Sequence, residues 1–159
     1  MGDGVSELQE LIASRLARDE TLLHVAYGLS ERSRAESIGR MLGAGLGNWL
    51  GGALLLDDGW AVSASSRRLV FIRLERSRRL WSLRPRLKLG ELAFIDRGML
   101  ANAELVFSRA RDGSIRLNGK LSGRPLGLRF GPIVGFADNV REAQAIWDYV
   151  EAARRTGRP

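Results

Sequence analysis

Between Gly59 and Glu75 two β-rich runs flank a short polar turn, and no other stretch limits the fold as tightly. Trp60, Val62 and Ala64 alternate with smaller side chains, the period of a strand with one face buried. Leu69 to Leu74 is almost wholly β-branched, aromatic or aliphatic, and Ser65-Ser66-Arg67 is the turn between the two runs. A hairpin with so apolar a second arm belongs inside a sheet. The spacing therefore predicts a mainly β fold with this hairpin at the centre of the sheet.

Ahead of the hairpin, Ser6 to about Arg18 reads as a helix. Val5, Leu8, Leu11, Ile12 and Leu16 share one face, Ser6 and Gln9 form a capping-box pair, and acids lead while arginines trail along the dipole. Thr21 to Leu29 reads as the first strand, with Leu22, His24 and Ala26 on one face and Leu23, Val25 and Tyr27 on the other.

A polar bridge, residues 30–37, leads into a glycine-rich stretch, residues 38–56. Gly39, Gly43, Gly47 and Gly51 recur at every fourth position, and Leu42, Leu46, Leu50 and Leu54 form the neighbouring row, with Trp49 beside them. In a helix the glycines form a small-residue face, and each costs about 1 kcal/mol against alanine unless something packs closely on it. These residues are the candidates for self-association or membrane contact; an ordered loop is the alternative, because glycine clusters mark loops as well. The uncharged run from Met41 to Leu56 has 16 residues, short of the roughly 20 that a spanning helix needs. A dinucleotide fingerprint fails here for want of the third glycine, the acid and the βαβ setting.

After the hairpin the chain turns basic. From Arg67 to Lys88 nine basic residues face Glu75 alone, a net +8 that exceeds the +7 of the whole chain. Leu80, Trp81, Leu83, Leu87 and Leu89 are interleaved, so the run reads as strand or strand edge with a solvated face. Arg73, Arg76, Arg78, Arg79, Arg84, Arg86 and Lys88 are the candidate residues for an anion or a lipid headgroup. Leu92 to Ile95, Glu104 to Arg109, Ser114 to Asn118 and Pro125 to Phe130 follow as strands, with Asp112-Gly113 as a hairpin turn. Asn139 to about Arg155 is an amphipathic helix that buries Val140, Ala143, Ile146, Trp147, Val150 and Ala153, with Asn139 and Glu142 as N-cap and N3, and Thr156-Gly157 as its stop.

Trp60 to Ile72 with its Arg67-Arg68-Leu69 turn, followed by Leu87-Lys88-Leu89-Gly90-Glu91-Leu92, resembles the bacterial pleckstrin-homology-like, or GRAM-like, domain family. The resemblance covers residues 19–155 and rests on the order of elements more than on identities. It implies an α+β fold: an antiparallel barrel or sandwich of about seven strands capped by a C-terminal helix, preceded by the 1–18 helix, carrying the 38–56 insertion after the first strand and ending in a 156–159 tail. It also implies a non-catalytic binding module, with ligands at the loops of the open end of the barrel or peptides along an edge strand. Some relatives assemble as rings. Ser65 and Ser66 replace the usual Thr-Asp, and the lysine-led pattern of inositide binders is missing around Arg32, Arg34 and Arg40.

Composition removes several functions. Cysteine is absent and His24 is the single histidine, so no disulfide, thiolate nucleophile or His-built zinc site is available within one chain. No Ser/His/Asp or paired-carboxylate spacing is recognisable, since Asp57 and Asp58 end the glycine-rich run as turn residues; no cofactor, metal or small-molecule substrate is expected. Residues 1–6 lack a basic n-region and an apolar core, so the expected location is cytoplasmic, at most peripheral to a membrane. The expected partners are a second copy of the chain, an anionic membrane surface or a protein; the alternative is nucleic acid on the Arg67 to Lys88 surface, with Trp81 stacking.

Overall fold

The computed structural model describes residues 9–10, 12–31, 59–76, 87–132 and 138–157, with the side chains of residues 75, 76, 87–89 and 91 outside that description. Gly39, Gly43, Gly47, Gly51, Leu42, Leu46, Trp49 and Leu50 lie outside the described residues, so the choice between helix and loop for 38–56 lies there too.

Seven strands form one antiparallel sheet: β1 (Leu22–Ser30), β2 (Gly59–Ser65), β3 (Arg68–Arg76), β4 (Leu87–Asp96), β5 (Leu105–Arg109), β6 (Ile115–Leu121) and β7 (Arg124–Phe130). Their order is β4-β3-β2-β1-β7-β6-β5. Among the described residues the backbones of the two meanders pair where Leu29 and Ser30 of β1 meet Arg129 and Leu128 of β7. Val62, Ala64, Leu69 and Phe71 of one meander share a core with Leu105, Leu117, Leu128 and Phe130 of the other. One sheet whose two halves bury the same face against each other must curl. A C-terminal helix, α1 (Asn139–Thr156), adds Ala143, Ile146, Val150 and Ala153 to that core. Mainly β, with seven antiparallel strands in one curled sheet and a C-terminal helix, this is the fold class that the order of elements predicted.

The β2–β3 hairpin is internal to the sheet, although β1 and not the hairpin holds its middle, and its pairing follows from its sequence. Ala64 pairs with Leu69, Val62 with Phe71 and Trp60 with Arg73, so the alternating side of β2 meets the aromatic and aliphatic side of β3. β3 is apolar on both faces because both faces are covered. Val70, Ile72 and Leu74 point to the outer face, where Val25, Tyr27 and Ala61 join them and Ile12, with Leu16 at its margin, packs on top. Gly28, opposite Trp60, is fixed by size: a Cβ there would lie 2.8 Å from the Phe130 ring.

Five local expectations are corrected. The N-terminal helix was expected to reach Arg18, but it ends after Ser14, where Arg15 and Leu16 donate i→i−3 bonds to Ile12 and Ala13 and tighten the last turn. Leu22 was assigned to the face of Ala26. A register shift between Leu22 and His24 inserts one residue, and Leu22 packs instead beside the outer cluster of Val25 and Tyr27. The strand expected over Leu92 to Ile95 is the second half of the ten-residue β4. The N-cap of α1 is Asp138, not Asn139. Trp147 is only half-buried, stacked on Phe107 with ring centroids 5.8 Å apart, and Tyr149, absent from the expected buried face, is buried instead.

Asn139 is buried because it completes β1. Its Oδ1 accepts from the Tyr27 amide at 2.7 Å, and its Nδ2 donates to the carbonyls of Tyr27 (2.9 Å) and Gly131 (2.8 Å). One turn on, the Glu142 carboxylate accepts from the Val25 amide at 3.3 Å and lies 3.2 Å from His24 Nδ1. β7 leaves β1 after Leu29, and these two side chains pair with β1 backbone groups that a strand would otherwise take.

Candidate functional site

Antiparallel pairing divides the basic run between two ends of the sheet. The row Leu29, Gly59, Leu74, Leu89 crosses β1 to β4 near one end, and the row Ser65, Arg68, Asp96 lies near the other. Arg67 and Arg68 therefore sit opposite Arg73, Arg76 and Lys88, although all five belong to one charged stretch in the sequence.

At the turn end the arginines are held by the chain itself. Glu20, its side chain 1% exposed, accepts from Arg68 Nε at 2.9 Å and Nη2 at 3.0 Å, and from the Ala17 amide at 3.0 Å. The Ser65 hydroxyl donates to the same carboxylate and accepts from the amides of Arg67 (3.2 Å) and Arg68 (3.1 Å). Thr21 and Ser66 exchange a reciprocal pair of bonds, and Arg67 lies against Asp19. Burial alone would raise the Glu20 pKa; the hydrogen bonds from Ser65, Arg68 and Ala17, with the Arg68 charge, outweigh it and hold the group below the ordinary carboxylate range. The Arg68 guanidinium also covers the Phe94 ring, 4.5 Å from its centroid. This part of the family-like motif thus clamps the hairpin to the segment entering β1.

The other end is different. Arg73 is exposed, opposite Trp60, and has no hydrogen-bond or ion-pair partner among the described residues. The register sets Arg76 opposite Leu87 and Lys88 opposite Glu75, the one acid of the stretch. Arg78, Arg79, Arg84 and Arg86 belong to the 77–86 connection between these strand ends and lie outside the described residues. With Arg67 and Arg68 set apart, Arg73 to Lys88 carries seven basic residues against one acid, a net +6. Elsewhere Arg116, Arg129, Arg141 and Arg154 lie against Glu31, Asp112, Asp138 and Glu151.

The sequence reading missed an apolar feature. Leu92 and Phe94, opposite Ile72 and Val70 on the outer face, are 42% and 51% exposed where the N-terminal cover stops short of β4. Their alternation marked a strand, but nothing in it showed that β4 is an edge.

Among the described residues no His, Cys, Asp or Glu grouping has the geometry to hold a metal ion, and no helix is long and apolar enough to cross a membrane. No protein-family model matches the chain, and no curated protein does. Among solved structures it is similar to the hSac2 domain from human phosphoinositide phosphatase Sac2, at 12% identity and a TM-score of 0.44, over 98% of this chain and 83% of that one. A likeness at that level says nothing about the activity of this chain.

Proposed function

We propose that the chain is a non-catalytic interaction module whose basic strand end, Arg73 to Lys88, takes an anionic surface, with an anionic membrane as the first partner to test. The supporting observation is the contrast between its arginines. Arg67, Arg68, Arg116, Arg129, Arg141 and Arg154 each lie against an acid of the same chain, whereas Arg73, like Arg15, Arg18, Arg97, Arg111, Arg124 and Arg155, has none among the described residues, and it alone of these belongs to a stretch, Arg73 to Lys88, with seven basic residues against one acid. A local excess of positive charge in one short stretch is the form in which net charge attracts an anionic partner.

Co-sedimentation with phosphatidylserine-containing and purely neutral vesicles tests this, over a series of salt concentrations. Binding to the anionic vesicles alone, weakened by salt and lost in Arg73→Glu/Arg76→Glu/Lys88→Glu at an unchanged melting temperature, is the expected result. Duplex DNA in place of vesicles, bound with a steep salt slope, transfers the surface to nucleic acid. Indifference to both sinks the proposal.

A further inference from the structure

We infer that Leu92 and Phe94 of β4 form an apolar anchor that enters the interface of an anionic membrane beside the basic strand end. This rests on the reading of the module as a binder of anionic surfaces and gives it a second, apolar point of contact. Among the described residues Leu23, Leu92, Phe94, Met99 and Val106 are the exposed large apolar side chains, and only Leu92 and Phe94 share one strand and one face, two positions apart. Single exposed apolar residues are ordinary on a protein surface; neighbours at the margin of a buried face call for a reason. Opposite them Ile72 and Val70 are buried in the cluster that Ile12 joins, so the exposed strip is one strand wide. β4 ends the sheet order, which places the strip at its margin. Two side chains fall far short of the roughly 800 Å² that each partner buries in a stable protein complex, whereas an interfacial anchor acts side chain by side chain.

Two observations select a lipid surface as the occupant. The first is charge: β4 begins where the stretch from Arg73 to Lys88 ends, and Leu92 follows the last base of that stretch by four residues, about 13 Å of strand. A small apolar contact alone attaches a protein to a membrane weakly and reversibly, and a polybasic stretch within reach supplies the second signal that makes attachment persist. The second observation is the seat of the ring. Arg68, which donates to both carboxylate oxygens of Glu20, sets its guanidinium 4.5 Å from the Phe94 ring centroid, while 51% of Phe94 stays exposed. A ring held beside a cation suits the boundary between headgroups and acyl chains, where aromatic side chains concentrate. Asp96, exposed two residues beyond Phe94, bounds the anchor with an acid and keeps the insertion shallow.

The chain has no cysteine, so Leu92→Cys takes a single nitrobenzoxadiazole label that reports its own surroundings. Val106→Cys, at a position 64% exposed on β5 at the far end of the sheet order, is the control. Both labelled chains are titrated with phosphatidylserine/phosphatidylcholine vesicles, with and without nitroxide on the acyl chains, and with neutral vesicles, while co-sedimentation follows binding of the natural chain. The inference expects, on anionic vesicles alone, a blue shift with nitroxide quenching at 92 and neither at 106. Leu92→Ser/Phe94→Ser should weaken vesicle binding roughly tenfold or more at an unchanged melting temperature. If the natural chain sediments with anionic vesicles while the label at 92 stays unquenched, or is quenched no more than the label at 106, the anchor is overturned and the module reading stands. A blue shift at 92 that grows with protein concentration in the absence of vesicles overturns it too, because a second copy then covers the strip. Failure of the natural chain to sediment with anionic vesicles ends both.

Discussion

Arg68 is the residue at which the division of the basic run can be tested by stability alone. Arg68→Met keeps the length of the side chain but removes both donors from Glu20, whose carboxylate then stays enclosed with only Ser65 and the Ala17 amide. Breaking a buried ion pair from one side costs about 3 to 5 kcal/mol; with the Arg68 side chain 20% exposed, the lower end applies, about 3 kcal/mol. Removing Glu20 as well takes away the stranded charge, so Glu20→Met/Arg68→Met should recover part of the loss, with a coupling of about 1 to 3 kcal/mol. Urea unfolding of the four proteins in the cycle measures this, and an unchanged slope shows that the same surface is exposed. The pH dependence has a fixed sign. The folded pKa of Glu20 lies below its ordinary value, so the stabilisation is present above that value and is lost as pH falls through the folded one. A loss under 1 kcal/mol for Arg68→Met, or a cycle without coupling, refutes the clamp.

Asn139→Ala should cost about 2 to 4 kcal/mol, because the amide and carbonyl of Tyr27 lose their partner inside the core; thermal unfolding reads it, and Asn139→Asp should not restore the loss since it cannot donate to both carbonyls. Asp112 is held at about 2 by the Ser114 hydroxyl and amide, with Arg129 adding to the effect. Its contribution is present above pH about 4 and fades as pH falls toward 2, so the acid limb of the unfolding profile should flatten in Asp112→Asn.

The parts of the fold that depend on period were legible in the sequence: the β2–β3 hairpin, though not its place to one side of β1, the later strands and α1 all follow from alternation or helical spacing. What was not legible depends on distant partners. Asn139 has the side chain of an N-cap, and only the departure of β7 from β1 turns it into a surrogate strand. Leu22 changes face because of one inserted residue, which no alternation rule detects. Arg67 and Arg68 look like the rest of the basic run until Asp19 and Glu20, almost fifty positions earlier, are brought beside them. Charge density marked a candidate surface, but it could not tell arginines that hold the fold from arginines left over for a partner.

The measurement closest to that distinction compares two charge-matched variants, Arg67→Gln/Arg68→Gln and Arg73→Gln/Arg76→Gln, for melting temperature and for binding to phosphatidylserine vesicles at low salt. The account predicts that the first lowers the melting temperature by several degrees and binds, below its melting temperature, about as the natural chain does, whereas the second melts normally and binds more weakly. Equal loss of binding in both variants, with stability unaffected in either, would contradict it.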